Sequence, residues 1–177
     1  HNLDRWLRFA QLSPAALPGL EPLDAEAMVR NIKWPPLRVL PDWRSDLTAW
    51  LQDRGLAERP LVLVQAGNKR TMRWWAHRQR ASNSKYWPEE RWAAVIEALL
   101  RRDSRMVVVL LGVPAEASLN EDIARLVQSD RVVNVARELP IPRLLALQER
   151  AFGMISVDTG PAHSAAALGC PLVVLFG

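Results

Sequence analysis

The chain has 177 residues, 49% of them apolar and 24% charged, with 23 basic and 19 acidic side chains giving a net charge of +4; this balance excludes a disordered, collagen-like or coiled-coil chain. At that length one domain, or one domain and part of another, can bury about 70% of its unfolded surface. The longest apolar run, Met106 to Leu111, falls far short of the roughly 20 residues a membrane-spanning helix needs, and the single cysteine, Cys170, rules out an internal disulfide and fits a reducing, cytosolic compartment.

The chain opens on His1 without a charged-then-apolar leader, which reads as a fragment rather than a processed precursor. Residues 1–57 are rich in proline and tryptophan, with short amphipathic pieces such as Asp46 to Arg54, and are expected to be an incomplete element and a linker. From Leu61 onward short apolar runs alternate with helical periods. Leu61 to Ala66, Met106 to Leu111, Val132 to Val135, Gly153 to Val157 and Leu172 to Phe176 predict five buried strands. Between the first two, Trp92, Val95, Ile96, Leu99 and Leu100 repeat at the spacing of a one-faced helix over Glu89 to Arg102. Leu119, Ile123, Leu126 and Val127 repeat that spacing, and Pro142 to Arg150 and Pro161 to Leu168 predict two shorter helices opened by proline.

Strands apolar on both faces and joined by helical crossovers predict an α/β fold, a Rossmann-like parallel sheet with helices on both faces, spanning residues 58–177. Ligands of such sheets sit beyond the carboxyl ends of the strands, so the loops opening at Gly67, Gly112, Ala136 and Asp158 are the places to look. Charge points the same way. Seven basic residues and no acidic one lie between Arg59 and Pro88, a segment suited to an anion. Nucleic acid is not the expected anion, because no helix-turn-helix pattern, zinc spacing or stacking-aromatic sheet motif accompanies the charge. The chain also lacks G-x-G-x-x-G after a strand, G-x-x-x-x-G-K-[ST], H-E-x-x-H, paired Cys/His spacing and G-x-S-x-G, which argues against dinucleotide oxidoreductases, P-loop enzymes, metalloproteases and serine hydrolases.

Three segments remain. In Ile155-Ser156-Val157-Asp158-Thr159-Gly160-Pro161-Ala162-His163 an apolar strand runs into a helix start. Asp158 or Thr159 can cap the helix, and the same N–H groups hold a phosphate when an anion takes the cap's place. A capped helix with a structural histidine is the plainer reading. In Ser82-Asn83-Ser84-Lys85-Tyr86-Trp87-Pro88 the lysine offers a compact charge near a second helix start, with Ser82 and Ser84 as donors; the plainer reading is a solvated lysine, with Trp87 as a packing anchor. From Asn68 to Arg80 five cations surround Trp74 and Trp75. That composition suits a membrane interface or an anionic glycolipid, although Arg-on-Trp stacking needs no ligand.

Lys85-Tyr86-Trp87-Pro88-Glu89-Glu90-Arg91-Trp92, Leu110-Leu111-Gly112-Val113-Pro114-Ala115-Glu116, and Asp158-Thr159-Gly160-Pro161-Ala162-His163 with Leu175-Phe176-Gly177 together resemble glycosyltransferase family 9. That family contains the ADP-heptose:lipopolysaccharide heptosyltransferases. The likeness covers roughly Leu61 to Gly177 and implies the C-terminal, donor-binding half of a GT-B enzyme, with residues 1–57 matching the tail of the acceptor domain and the linker. It implies an inverting, metal-independent transfer of a sugar, expected to be heptose, from an ADP-activated donor to a lipopolysaccharide-core acceptor, without a cofactor. Lys85 then corresponds to the lysine on the donor phosphates and is the expected catalytic residue. Glu116 corresponds to the acid on the ribose, and Asp158, Thr159 and Gly160 to the donor-sugar and diphosphate loop, with Ser84 and His163 completing the nucleotide-sugar site. Cysteine usage reads as a cytoplasmic protein, and the cations and tryptophans of residues 69–80 as a peripheral contact on the inner face of the cytoplasmic membrane.

The family's Gly-rich first loop and its general base have no counterpart here, so this piece alone is expected to be inactive. At Arg137 to Pro142 the sequence Arg-Glu-Leu-Pro-Ile-Pro stands where a hydroxyl-capped helix start is expected. A non-catalytic nucleotide-sugar-binding module, or another GT-B enzyme using a different nucleotide, are the alternative readings.

Overall fold

The computed structural model of the protein describes residues 37–68 and 85–176. In chain order these form α1 (Pro41–Asp53), β1 (Leu61–Gln65), α2 (Glu89–Arg102), β2 (Val107–Leu110), a 3-10 turn (Pro114–Glu116), α3 (Ala117–Val127), β3 (Val132–Asn134), α4 (Ile141–Arg150), β4 (Gly153–Val157), α5 (Gly160–Ala167) and β5 (Leu172–Leu175). The five strands make one sheet in the order β3-β2-β1-β4-β5. All neighbours are parallel, with Leu63 facing Val109 on one side and Met154 on the other. The expected five strands and four later helices are all present. α4 and α5 each start one residue before their proline, which occupies the second helical position.

The inner strands form because Val, Leu and Ile pack well on a pleated surface covered on both sides, whereas β3 and β5, expected to be buried, are the edge strands and only partly covered, with Val173 57% exposed. Alternate residues feed two cores. Leu61, Leu63, Val107, Val109 and Met154 face a core completed by α1, α4 and α5. Val62, Val64, Val108 and Leu110 face a core built from Trp92, Ile96 and Leu100 of α2 and Leu119 and Ile123 of α3. Trp87 packs edge-on against Trp92, with ring centroids 4.9 Å apart, and so anchors the start of α2 to this second core. In α5, Ala162 and Ala165 are buried while Ala166 and Ala167 are exposed. The small residues that let this helix approach the sheet are therefore two of its four alanines. Gly169, with φ at +73°, takes the left-handed turn that ends α5, and the Cys170 amide donates back to the Ala165 carbonyl at 3.0 Å.

The boundary expected at residues 57–58 runs through a continuous core. Leu47, Trp50 and Leu51 of α1 are buried in the same cluster as β1 and α4. Around them Arg44 forks onto Glu149 at 2.7 Å through both contacts, Arg143 forks onto Asp46 at 2.8 and 2.9 Å, and the Arg54 guanidinium lies 4.3 Å from the Trp50 ring centre. Among the described residues no helix is long and apolar enough to cross a membrane. The packing of α1 predicts that Leu51→Ala, which empties a position only 1% exposed, costs about 2–5 kcal/mol in urea denaturation. A loss below about 0.5 kcal/mol, the range of surface changes, would contradict it.

Candidate functional site

The crossovers after β1 and β2 pass over one face of the sheet and those after β3 and β4 over the other, so the loops leaving β1 and β4 diverge. A crevice opens between them at the carboxyl edge, where ligands of such sheets bind. It is a cavity of about 480 Å³, within the size of small-molecule sites. Its floor is Gln65, Gly67 and Gly112 at the strand ends. Glu116 and Val113 form one side, Thr159, Gly160 and Ser164 another, and Leu139, Ile141 and Leu144 an apolar third. A smaller pocket of about 250 Å³ continues from Gly112 past Ala136 to Pro140.

Glu116 is 5% exposed. Its Oε2 accepts from the Val113 amide at 3.0 Å and from Gln65 Nε2 at 3.2 Å, and Gln65 Nε2 also donates to the Gly67 carbonyl at 3.0 Å. Two glycines make room for the carboxylate. A Cβ at Gly67 would overlap Oε1 and come within 2.6 Å of Cδ, and one at Gly112 would lie 2.9 Å from Oε2. Burial holds the Glu116 carboxyl above the usual carboxylate range, against the pull of the Val113 and Gln65 hydrogen bonds. A carboxylate kept in such a place with one oxygen already bonded is suited to accept from ligand hydroxyls with the other.

The second cluster is charged. Lys85 Nζ donates to Asp158 Oδ2 in an ion pair and to the Asp158 carbonyl at 3.2 Å. His163 Nε2 lies 3.4 Å from the other carboxylate oxygen. The Lys85 hydrogen bond is the main reason the Asp158 carboxyl sits below its ordinary value, with His163 contributing. The folded value lies below the unfolded one, so the pair's stabilisation is present above the ordinary carboxylate range and fades as pH drops through the depressed value. Because Asp158 is bonded to Lys85 and Thr159 Oγ1 lies 3.2 Å from Ser156 Oγ, neither side chain caps α5. The expected cap is thus absent. Pro161 carries no N–H, and the Ala162 and His163 amides already bond the Thr159 carbonyl. The Gly160 amide is the first donor the positive end of α5 offers.

Glu116, Thr159 and Gly160 therefore share the cavity wall. Lys85, Asp158 and His163 form a cluster beside it, joined to the wall through the Asp158–Thr159 peptide. Ser84 and the Arg/Trp-rich stretch 69–80 lie outside the described residues. The α4 start that lacks the expected hydroxyl cap has Pro140 at its N-cap and no side-chain cap bond. Gln65 was not singled out by sequence reasoning. Its signal is a polar residue closing an otherwise apolar strand, at the edge where ligands bind. Among the described residues no group of three or more His, Cys, Asp or Glu side chains could hold a metal ion.

Residues 51–177 match the sequence profile of glycosyltransferase family 9 (heptosyltransferase). A curated relative, lipopolysaccharide heptosyltransferase 3 of Escherichia coli, is 36% identical over 93 residues, covering 52% of this chain and 27% of that protein. The chain thus spans about a quarter of the curated relative it matches. Among solved structures, E. coli ADP-heptose lps heptosyltransferase II superposes with a TM-score of 0.68 at 24% identity, over 86% of this chain and 43% of that one. E. coli heptosyltransferase WaaC with ADP superposes with a TM-score of 0.50 at 26% identity, over 67% and 32%. The parallel five-stranded sheet with its two helical layers is the fold of these heptosyltransferase structures.

The buried carboxylate generates a prediction with a definite sign. A carboxyl whose folded value exceeds its unfolded one costs no stability at low pH, and the cost grows as pH rises through the folded value. In Glu116→Gln the amide oxygen can replace Oε2, which takes both hydrogen bonds, while the charge disappears. Thermal melts are expected to show a higher midpoint for Glu116→Gln than for wild type at pH 7.5, and the difference shrinks toward pH 4. A lower midpoint at pH 7.5 would contradict the account of this carboxylate.

Proposed function

Because the chain belongs to glycosyltransferase family 9, we propose that it is the donor-binding portion of an inverting, metal-independent glycosyltransferase that moves a heptose from an ADP-activated donor to the core acceptor of lipopolysaccharide. The observation that supports this reading is that the open start of α5 at Thr159–Gly160 and the buried Glu116 carboxylate line one crevice at the β1/β4 divergence, with the Lys85–Asp158 pair beside it. A nucleoside diphosphate needs cationic and N–H donors for its phosphates and acceptors for its ribose hydroxyls, and this crevice offers both kinds. The neighbour solved with ADP supports the choice of nucleotide, and the lipopolysaccharide heptosyltransferase relative supports the acceptor class.

In this reading Glu116 accepts from the ribose hydroxyls, and the base packs toward the apolar wall of Leu139, Ile141 and Leu144. The diphosphate lies across the Thr159–Gly160 turn. The acceptor hydroxyl attacks the anomeric carbon from the face opposite the phosphate, the carbon–oxygen bond to the diphosphate breaks, and negative charge grows on the leaving phosphate. Lys85 and the Gly160 amide stabilise that charge, an electrostatic contribution made by groups already in place. Asp158 and His163 face the donor sugar, with Asp158 orienting the Lys85 ammonium. The proton of the acceptor hydroxyl goes to a base outside residues 37–176. Ser84 adds a donor next to Lys85. Residues 69–80, through their cations and tryptophans, hold the protein against the cytoplasmic face of the membrane where the glycolipid acceptor is presented.

Calorimetric titration of the full chain with ADP, GDP and UDP tests the reading. Lys85→Ala and Thr159→Ala are each expected to weaken ADP binding by about 1–3 kcal/mol, the range for lost hydrogen bonds to charged groups. A clear preference for UDP together with no response to Lys85→Ala would overturn the assignment.

A further inference from the structure

Gln148 sits on the inner face of α4 with no exposure to solvent. Its surroundings are apolar, yet both ends of its amide are bonded. Nε2 donates to the Pro161 carbonyl at 2.8 Å, Oε1 accepts from Ser164 Oγ at 2.8 Å, and Nε2 also lies 3.8 Å from Met154 Sδ. The two oxygen partners belong to α5, and both Pro161 and Ser164 line the cavity. The same helix that carries Gln148 supplies Ile141 and Leu144 to the facing wall. One buried amide thus ties the two walls of the crevice together.

Stability alone does not require an amide at this place. An apolar side chain of equal length would fill the space, and Ser164 Oγ keeps a second acceptor in the Pro161 carbonyl at 3.1 Å. Removing one member of a buried hydrogen bond is costly where it strands the other, but here Ser164 Oγ and the Pro161 carbonyl stay bonded to each other, so an apolar replacement strands neither partner. What the amide adds is direction. Apolar packing lets a helix as small-faced as α5, with Ala162 and Ala165 against the sheet, slide or turn about its axis, whereas two short hydrogen bonds fix the height and rotation of its first turn relative to α4.

We propose that Gln148 is a positioning residue for the diphosphate-binding turn, holding Thr159 and Gly160 in register with the wall formed by α4. The inference rests on the reading of the crevice as a nucleoside-diphosphate site. Gln148 touches no ligand in this account; it acts through Pro161 and Ser164.

The test compares ADP affinity and thermal midpoint for the full chain and two variants. Gln148→Met keeps length and volume and removes both hydrogen bonds. It is expected to bind ADP about tenfold more weakly, the scale of one net hydrogen bond, while its thermal midpoint stays at or above the wild-type value. Gln148→Glu supplies a readout that packing alone would not move. Its protonated form can donate to the Pro161 carbonyl and accept from Ser164 as the amide does, whereas its carboxylate cannot donate and repels that carbonyl. The groups bonded to this side chain, Pro161, Ser164 and Met154, are uncharged, and burial raises a carboxyl's pKa. The ratio of its ADP affinity to that of wild type, taken at each pH so that titration of ADP itself cancels, is therefore expected to be near one at pH 5.5 and to fall by pH 8.5. Wild-type binding of ADP with Gln148→Met within about twofold of it, or a flat ratio for Gln148→Glu, would overturn the role of Gln148 alone. A wild-type chain that does not bind ADP would overturn the site reading and this inference with it.

Discussion

Between β1 and β4 the sheet changes its direction of growth, and the crossovers that follow the two strands leave over opposite faces. Right-handed crossovers impose this divergence once the strand order is β3-β2-β1-β4-β5, because no helix can then cover the gap between the two strand ends. Every feature of the site depends on it. Gly67 and Glu116 meet in the gap from the β1 and β2 sides, and Asp158, Thr159 and Gly160 meet it from β4. The two cores hold the edges of the crevice at a fixed separation, so residues nearly a hundred positions apart in sequence can act on one ligand.

The electrostatics of the crevice run in opposite senses at its two ends. Burial in the Gly67–Gly112 notch disfavours charge on Glu116, whereas the Lys85 ammonium favours charge on Asp158. A ligand with hydroxyls at one end and phosphates at the other matches this polarity. The ion pair also keeps the Lys85 ammonium beside the α5 start, where it adds to the helix dipole. The polar side chains that set these positions, Gln65 and Gln148, are themselves buried and bonded. They cost desolvation that an apolar core would avoid, which is the pattern expected where geometry matters more than stability.

Much of this was legible in the amino-acid pattern, for physical reasons. Runs such as Met106 to Leu111 have no polar face to offer solvent and are too short for a typical helix, so they suit strands covered on both sides, and the structure places Val107–Leu110 inside the sheet between β3 and β1. The spacing of Trp92, Ile96 and Leu100 defines one buried stripe, and α2 occupies Glu89–Arg102 as that stripe requires. The Asp158–His163 block marked a strand running into a helix. Capping was less legible, because Thr159 had two partners in reach and takes Ser156 rather than the helix amides. The place of α1 was also hidden. Its apolar face is short, and the pairs that flank its contact with α4, Arg44 on Glu149 and Arg143 on Asp46, join residues about a hundred positions apart. Gln65 and Gln148 escaped notice because a single glutamine in an apolar element has no periodicity of its own, and only the fold shows what it bonds.

The central claim is that one diphosphate is held jointly by the Lys85 ammonium and the first amide of α5, with the ribose on Glu116. Amide chemical shifts of the isotopically labelled chain during an ADP titration test it most directly. The account predicts that the Gly160, Gly67 and Val113 amides shift together along one saturable curve. Saturable ADP binding that leaves these three amides unmoved would contradict it.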